Sequence, residues 1–251
     1  MPLIETESLV LKSYNLAEAD KIVLFLTLDH GVVRGVAKGA KRLKSKFGSG
    51  LEPFSIVRLT YFQKEVLELV SVQKADLLTS YFAAASDPEF LQKFSYLVDI
   101  LAAFSPPHDP NETLYRMVKA CLETAATEGA DLNAVGLYFE IWLLRLAGYL
   151  PDWSTCDNCK RTFDDRETAN VQGNFHLLCA NCRKSTGSIT VEGVHREIFV
   201  TARWLSPTDF QAFTTGKSKY VSEISQILKR VISQAIGREV VESSSLAINS
   251  Q

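Results

Sequence analysis

Residues 31–62 read GVVRGVAKGAKRLKSKFGSGLEPFSIVRLTYF, and the way this stretch changes character decides the fold. Val32–Ala37 is a short β-rich run. Ile56–Phe62 alternates, with Val57, Leu59 and Tyr61 on one side and Arg58 and Thr60 on the other, the period-two pattern of a half-buried strand. Between them lies a Gly-rich connection without that periodicity. Working outward, Ser8–Ser13 and Ile22–Leu28 precede it, and Val66–Val72 follows, with Val66, Val70 and Val72 sharing a face with Glu68. Asp29-His30-Gly31 and Gln63-Lys64-Glu65 read as hairpin turns. Five strands with a long connection after the third predict a small closed barrel of the oligonucleotide-binding (OB) type, with an SH3-like barrel as the alternative on strand count alone.

The connection itself is basic. Arg34, Lys38, Lys41, Arg42, Lys44 and Lys46 fall in 13 residues, and no carboxylate lies between Asp29 and Glu52. The whole chain has a net charge of −2, so this excess is local. Cations at that density repel one another unless an extended anion crosses them. Gly31, Gly35, Gly39, Gly48 and Gly50 let the backbone approach such a ligand. The six cations are therefore the candidate contacts to a polyphosphate backbone, with Tyr14, Phe47 and Tyr61 as nearby aromatics able to stack bases. A solvated lysine-rich loop is the bland alternative.

Beyond Asp76 the apolar period becomes 3.6. Asp87-Pro88 and Asp109-Pro110 each look like a helix N-cap followed by proline at the first helical position. Asp131 opens a helix carrying Val135, Tyr138, Phe139, Trp142, Leu143 and Leu146, with Gly148 at its end. Helical pattern resumes at Val194–Leu205, restarts at Ser206-Pro207, and ends with Tyr220–Ile236 closed by Gly237. That last helix presents Val221, Ile224, Ile227, Leu228, Val231, Ile232 and Ala235. A polar tail begins at Ser243.

Cys156-Asp-Asn-Cys159 and Cys179-Ala-Asn-Cys182 interrupt the helices. Two C-x-x-C pairs at this separation fit a tetrahedral zinc site, each pair turning two sulfurs toward one ion at about 2.3 Å. Four thiolates leave no open coordination position, so one structural Zn2+ is expected. His176 is a possible substitute ligand, and Cys121 lies on an apolar stripe as core. The expected organisation is thus α+β and multidomain. Residues 1–78 are expected to form the small β-barrel, of OB type or its SH3-like alternative, 79–150 with 188–242 an all-α helical domain, and 151–187 an inserted four-cysteine zinc-binding module.

The composition, 46% hydrophobic and 22% charged, is that of an ordinary folded protein. No apolar run reaches the length of a membrane span, and Met1-Pro2-Leu3-Ile4-Glu5 lacks the pattern of a signal peptide. Cytoplasmic residence is expected. No nucleophile with its base, P-loop spacing, paired carboxylates or open metal site is recognisable, so no catalytic residue is assigned and the expectation is a protein that is not an enzyme. A zinc-containing nucleic-acid-processing enzyme is the competing class.

Three pieces taken together resemble the bacterial RecO recombination mediator family: ESLVLKSYNLAEADKIVLFLT, GVVRGVAKGAKRLKSKFGSGLEPF and AVGLYFEIWLLRLAGYLPDWSTCDNC. The resemblance spans essentially the whole chain, with Ser45-Lys46 standing where the family usually has Ser-Arg. It implies an N-terminal OB-fold β-barrel, a C-terminal all-α helical domain and an inserted four-cysteine zinc-ribbon-like module, with a DNA repair and RecF-pathway role without catalysis. Such proteins bind single- and double-stranded DNA, anneal complementary strands, associate with RecR and help load RecA onto DNA coated by single-stranded DNA-binding protein. It also implies docking of that protein's acidic-hydrophobic C-terminal tail on the helical domain, for which Arg116, Lys119, Arg203, Lys217, Lys219, Lys229 and Arg230 are the candidate cations.

Overall fold

A computed structural model of the chain describes residues 3–63, 69–183 and 189–239. Lys64, Glu65, Val66 and Glu68 of the predicted turn and strand lie outside the described residues, as does the tail from Ser243. The described residues fall into two compact units that divide between Ala126 and Thr127. The boundary read from sequence at residue 78 falls inside a strand that runs to Ser80, and the first unit also holds the helices as far as Ala125.

The first unit contains strands β1 (Leu3–Asn15), β2 (Lys21–Thr27), β3 (Gly31–Ala37), β4 (Ser55–Phe62) and β5 (Leu69–Ser80). They close into a barrel in the order β1-β2-β3-β5-β4, β4 returning to β1. The closure depends on β1. Leu3–Leu9 pairs with β4 while Ser8–Asn15 pairs with β2, and the register shifts between Val10 and Lys12. Such a bulge bends and twists a strand, which lets one long strand serve two neighbours. On the far side β3 and β5 pair in parallel through Arg34–Leu69, Gly35–Val70 and Val36–Ser71. The alternation read from β4 holds: Val57, Leu59 and Tyr61 are buried in the barrel core with Val10, Val23, Phe25, Val33, Val70 and Val72, and Arg58 is exposed.

Strand β1 begins earlier than its first predicted residue, and β5 continues beyond Asp76, where the sequence had suggested a change to helix. Ser55–Ser80 and Arg58–Asp76 pairing explains the second difference, because β4 extends the ladder past the point where β5's own alternation fades. The short helix α1 (Phe82–Ala85) follows, then α2 (Pro88–Phe104) and α3 (Glu112–Ala125). Asp87 caps α2 as expected, accepting from the Glu89 N–H at 2.9 Å. Helix α3 is different: its cap is Asn111, accepting from Leu114 N at 2.9 Å, rather than Asp109. The residues before it are tied to the barrel instead, with His108 N donating to Val32 O at 3.0 Å. Against the barrel wall, Phe54 meets Phe90 and Phe94 of α2 edge-on, at 5.7 and 6.0 Å between centroids. Glu7 accepts from both Tyr115 (2.9 Å) and Lys119 (2.8 Å) of α3.

The second unit is built on α4 (Leu132–Leu146), α5 (Gly193–Thr201), α6 (Pro207–Phe213) and α7 (Ser218–Ile236). Asp131 caps α4 and Ser206 caps α6, as read from sequence, and α7 ends at Gly237 with φ of 71°. Helix α4 is not amphipathic with one stripe. Ala134, Gly136, Leu137, Ile141 and Leu144 are buried as well as the predicted Val135, Tyr138, Phe139 and Leu143, which makes it the central helix of the unit. Helix α7 buries the predicted face except Ala235, which is only half-buried. Between α4 and α5 stand three short strands, β6 (Ala169–Val171), β7 (Leu177–Leu178) and β8 (Thr190–Val191), in the order β7-β6-β8, with a 3-10 turn at Ala180–Cys182.

A pinned basic loop and a four-cysteine site

The connection from β3 to β4 is held at several points. Gly39 N donates to the Asp20 carboxylate at 2.8 Å and Lys41 N to Ala19 O at 2.9 Å, both on the β1–β2 turn. Phe47 and Leu51 then turn inward and are buried within the barrel core. Gly50 lies so close to β5 that a Cβ there would stand 2.2 Å from Ala75 O, so no larger residue fits without displacing backbone. Two apolar plugs and two backbone ties leave the intervening residues outside. Lys38, Lys41, Arg42, Lys44 and Lys46 are all exposed, and so is Arg34, which projects from the middle of β3 rather than from the loop. Among the described residues, none of the six has a carboxylate within salt-bridge distance, whereas Lys21 is paired with Glu52 at 3.4 Å and Lys12 with Asp99. Such a set of cations without carboxylate partners carries a local positive potential suited to an anion.

Two of the three proposed stacking aromatics are excluded from that surface. Phe47 is a core plug. Tyr61 points into the barrel, where its hydroxyl has no partner among the described residues and burial raises its pKa to about 12. Tyr14 is the exposed one, at the end of β1. Sequence reading missed Leu43, which stands fully exposed between Arg42 and Lys44. Its neighbours gave the only signal, since an apolar residue inside a run of cations has no helical or strand face to serve.

In the second unit, Cys156, Cys159, Cys179 and Cys182 bring their sulfurs within 4.8 Å of one another. Cys159 and Cys179 are 4.0 Å apart; four sulfurs at about 2.3 Å from one tetrahedral ion would stand roughly 3.8 Å apart. The first knuckle closes through Cys156 N to Arg161 O (2.9 Å) and Lys160 N to Cys156 O (2.8 Å), with Lys160 at φ 59°. The second closes through Cys182 N to Cys179 O at 3.0 Å, and Asp157 N to Leu177 O at 2.8 Å joins the two. Backbone N–H groups also favour thiolates. Burial opposes ionisation of Cys156, but donors at Cys159, Cys179 and Asn158 bring its pKa down to about 6, and the Cys179 N–H approaches its sulfur at 3.4 Å. The Asn158 amide favours the Cys182 thiolate, yet the neighbouring sulfurs push that thiol up to about 11. A divalent cation relieves this sulfur–sulfur repulsion, so the donor set fits a thiophilic ion. His176 is not part of the group.

The segment around these cysteines has more apolar content than its polar sequence suggests. Trp153, Phe163, Val171, Leu177 and Val191 are buried, and Trp153 stacks on Phe199 of α5 at 4.3 Å. Arg196 of α5 reaches into it, donating to Asp164 O (2.6 Å) and Glu167 O (2.5 Å) and lying over the Phe163 ring. At Gly193 a Cβ would fall 1.7 Å from Asp165 O, so only glycine lets α5 begin against this loop. The four-cysteine module is thereby seated on the helices, through contacts distant in sequence.

An OB-like barrel followed by a helical unit that carries a four-cysteine site defines a class of two-part proteins rather than one activity. The particular family is shown by comparison. Residues 1–81 match the family model for the recombination protein O N terminal, and residues 86–244 the model for the recombination protein O C terminal. The chain belongs to the RecO family. Among similar proteins are one named DNA repair protein RecO from Koribacter versatilis, 33% identical over 75% of this chain and 76% of its own length, and one of that name from Geobacter metallireducens, 32% identical over 74% and 75%. A third, from Caldicellulosiruptor saccharolyticus, is 24% identical over 94% of this chain and 93% of its own.

Proposed function

We propose that this chain is a DNA repair and recombination mediator that acts by binding rather than by catalysis. It binds single- and double-stranded DNA through Arg34, Lys38, Lys41, Arg42, Lys44 and Lys46, and anneals complementary strands. With RecR it helps load RecA onto single-stranded DNA coated by single-stranded DNA-binding protein. One observation carries the reading: six exposed cations, without carboxylate partners among the described residues, stand on and beside a loop pinned to an OB-like barrel. Membership of the RecO family, with relatives named DNA repair protein RecO, supports the repair role.

Cys156, Cys159, Cys179 and Cys182 hold one structural Zn2+, which fastens the two knuckles and takes no part in chemistry. Sulfur spacing and the short knuckle hydrogen bonds support this. Docking of the acidic tail of single-stranded DNA-binding protein belongs to the same reading, and the candidate cations differ in how free they are. Arg116 is paired with Glu112, Lys119 with Glu7, Lys217 with Glu197 and Lys219 with Glu223. Arg230 lines a cleft of about 310 Å³ with Glu192, His195 and Glu223, whose carboxylates disfavour an acidic peptide there. Cytoplasmic, nucleoid-associated residence follows from the role, and no helix among the described residues is long and apolar enough to cross a membrane.

The test is annealing of complementary oligonucleotides coated with single-stranded DNA-binding protein, with and without RecR, followed by RecA loading. Acceleration by this protein and dependence of RecA loading on RecR are expected. Failure to anneal, or cleavage of a labelled strand with a divalent metal, would overturn the reading.

A further inference from the structure

Among the described residues of the barrel unit, Leu43 is the most exposed large apolar side chain, with relative accessibility of 102%. Scattered surface leucines are ordinary; this one differs in where it is held. Arg42 N donates to Gly39 O at 3.1 Å and Ser45 N to Arg42 O at 2.9 Å, so two successive turns place Leu43 at the corner of the second. Exposed Arg42 and Lys44 flank it. The loop on either side is tied down, by Lys41 N to Ala19 O before it and by buried Phe47 after it. A projecting apolar side chain, fixed between two cations, has the arrangement of a wedge.

We propose that Leu43 inserts between successive bases of the bound strand while Arg42 and Lys44 hold the phosphates on either side. The proposal rests on the DNA-binding role of the loop argued above and gives it a further property. Apolar side chains that enter a base step separate the stacked bases, at a cost that is greatest in an intact duplex. The loop thereby favours single strands and weakened duplexes over perfect ones, which phosphate contacts alone do not do. It also holds a captured strand with bases splayed, ready for a complementary strand.

The test uses the full-length protein, its Leu43→Ala variant and oligonucleotides containing 2-aminopurine, whose fluorescence rises on unstacking. Full exposure of the side chain means the variant keeps its fold. Single-strand affinity is expected to fall about tenfold, the lower end of what burial of a leucine supplies. The slope of affinity against salt stays unchanged, because no charge is removed. The parent protein is expected to raise 2-aminopurine fluorescence and the variant to lose that rise; no rise with the parent would also overturn the wedge. Parent-like affinity together with a parent-like fluorescence rise in Leu43→Ala would overturn the wedge. So would unchanged DNA binding accompanied by lost sedimentation with anionic phospholipid vesicles, or by a change in oligomeric state, since either outcome assigns Leu43 to another surface. The double variant Lys41→Glu/Arg42→Glu separates the two levels: if it too keeps parent-like affinity, the loop is not the DNA site, whereas if it loses affinity and Leu43→Ala does not, only the wedge fails.

Discussion

Lys41 and Arg42 are exposed and have no carboxylate partner among the described residues, Lys41 making only a long 3.4 Å contact to Ala17 O, so reversing them should cost the fold little and the proposed DNA contacts much. Lys41→Glu/Arg42→Glu is expected to weaken single-strand binding by at least about a hundredfold at moderate salt. The parent's log–log salt slope, near −3 for four or five phosphates, should become shallower by about 1.4; filter binding across a salt series measures both, with circular dichroism unchanged. Glu7 is a different kind of residue. The Lys119 ammonium is the main cause that holds its carboxyl below the ordinary glutamate range, with Tyr115 adding a second donor. A depressed native pKa contributes stability that is present above the unfolded value of about 4.3 and disappears as pH falls through the native value. Glu7→Gln should therefore lower the melting temperature of the barrel unit at pH 7 and lessen its decline below about pH 4, as read by thermal unfolding across that range.

At the level of elements, caps and plugs decide which predicted segments form as predicted. The Asp131 side chain accepts from Asn133 N at 3.0 Å and Ala134 N at 3.1 Å, and α4 is the central helix of its unit. Asp131→Ala should cost about 1 kcal/mol in chemical denaturation of the second unit, within the usual range for losing such a cap. Start signals at Asp87, Asp131 and Ser206 were legible because a short side chain and the following backbone settle them locally. Asp109-Pro110 carried the same signal and failed, because its neighbour His108 bonds to β3 and Asn111 makes the cap. The long β5 was illegible for a related reason: its last residues, Ser80 included, are strand through pairing with β4 rather than through their own alternation.

At the level of the whole molecule, the basic loop and the cysteines belong to different compact units, which makes metal and DNA separable variables. Chelation, or Cys156→Ser, is expected to lower stability and solubility through the second unit. Intrinsic DNA affinity should stay within about twofold where the protein remains folded. Metal analysis of the parent should return close to one zinc per chain, and less than about half an equivalent would count against the site. The amino-acid sequence alone determined the barrel, the helical region, the four clustered cysteines and the cationic run, because each is written in spacing: period two, period 3.6, C-x-x-C, and charge density along a short segment. Only the tertiary structure decided which side chains of the basic run face outward. Phe47 and Tyr61 are aromatic in sequence like Tyr14, yet barrel closure buries the first two and leaves Tyr14 and Leu43 in solvent. Burial depends on which strands meet across the barrel, and that pairing joins residues too far apart in sequence for any local pattern to record.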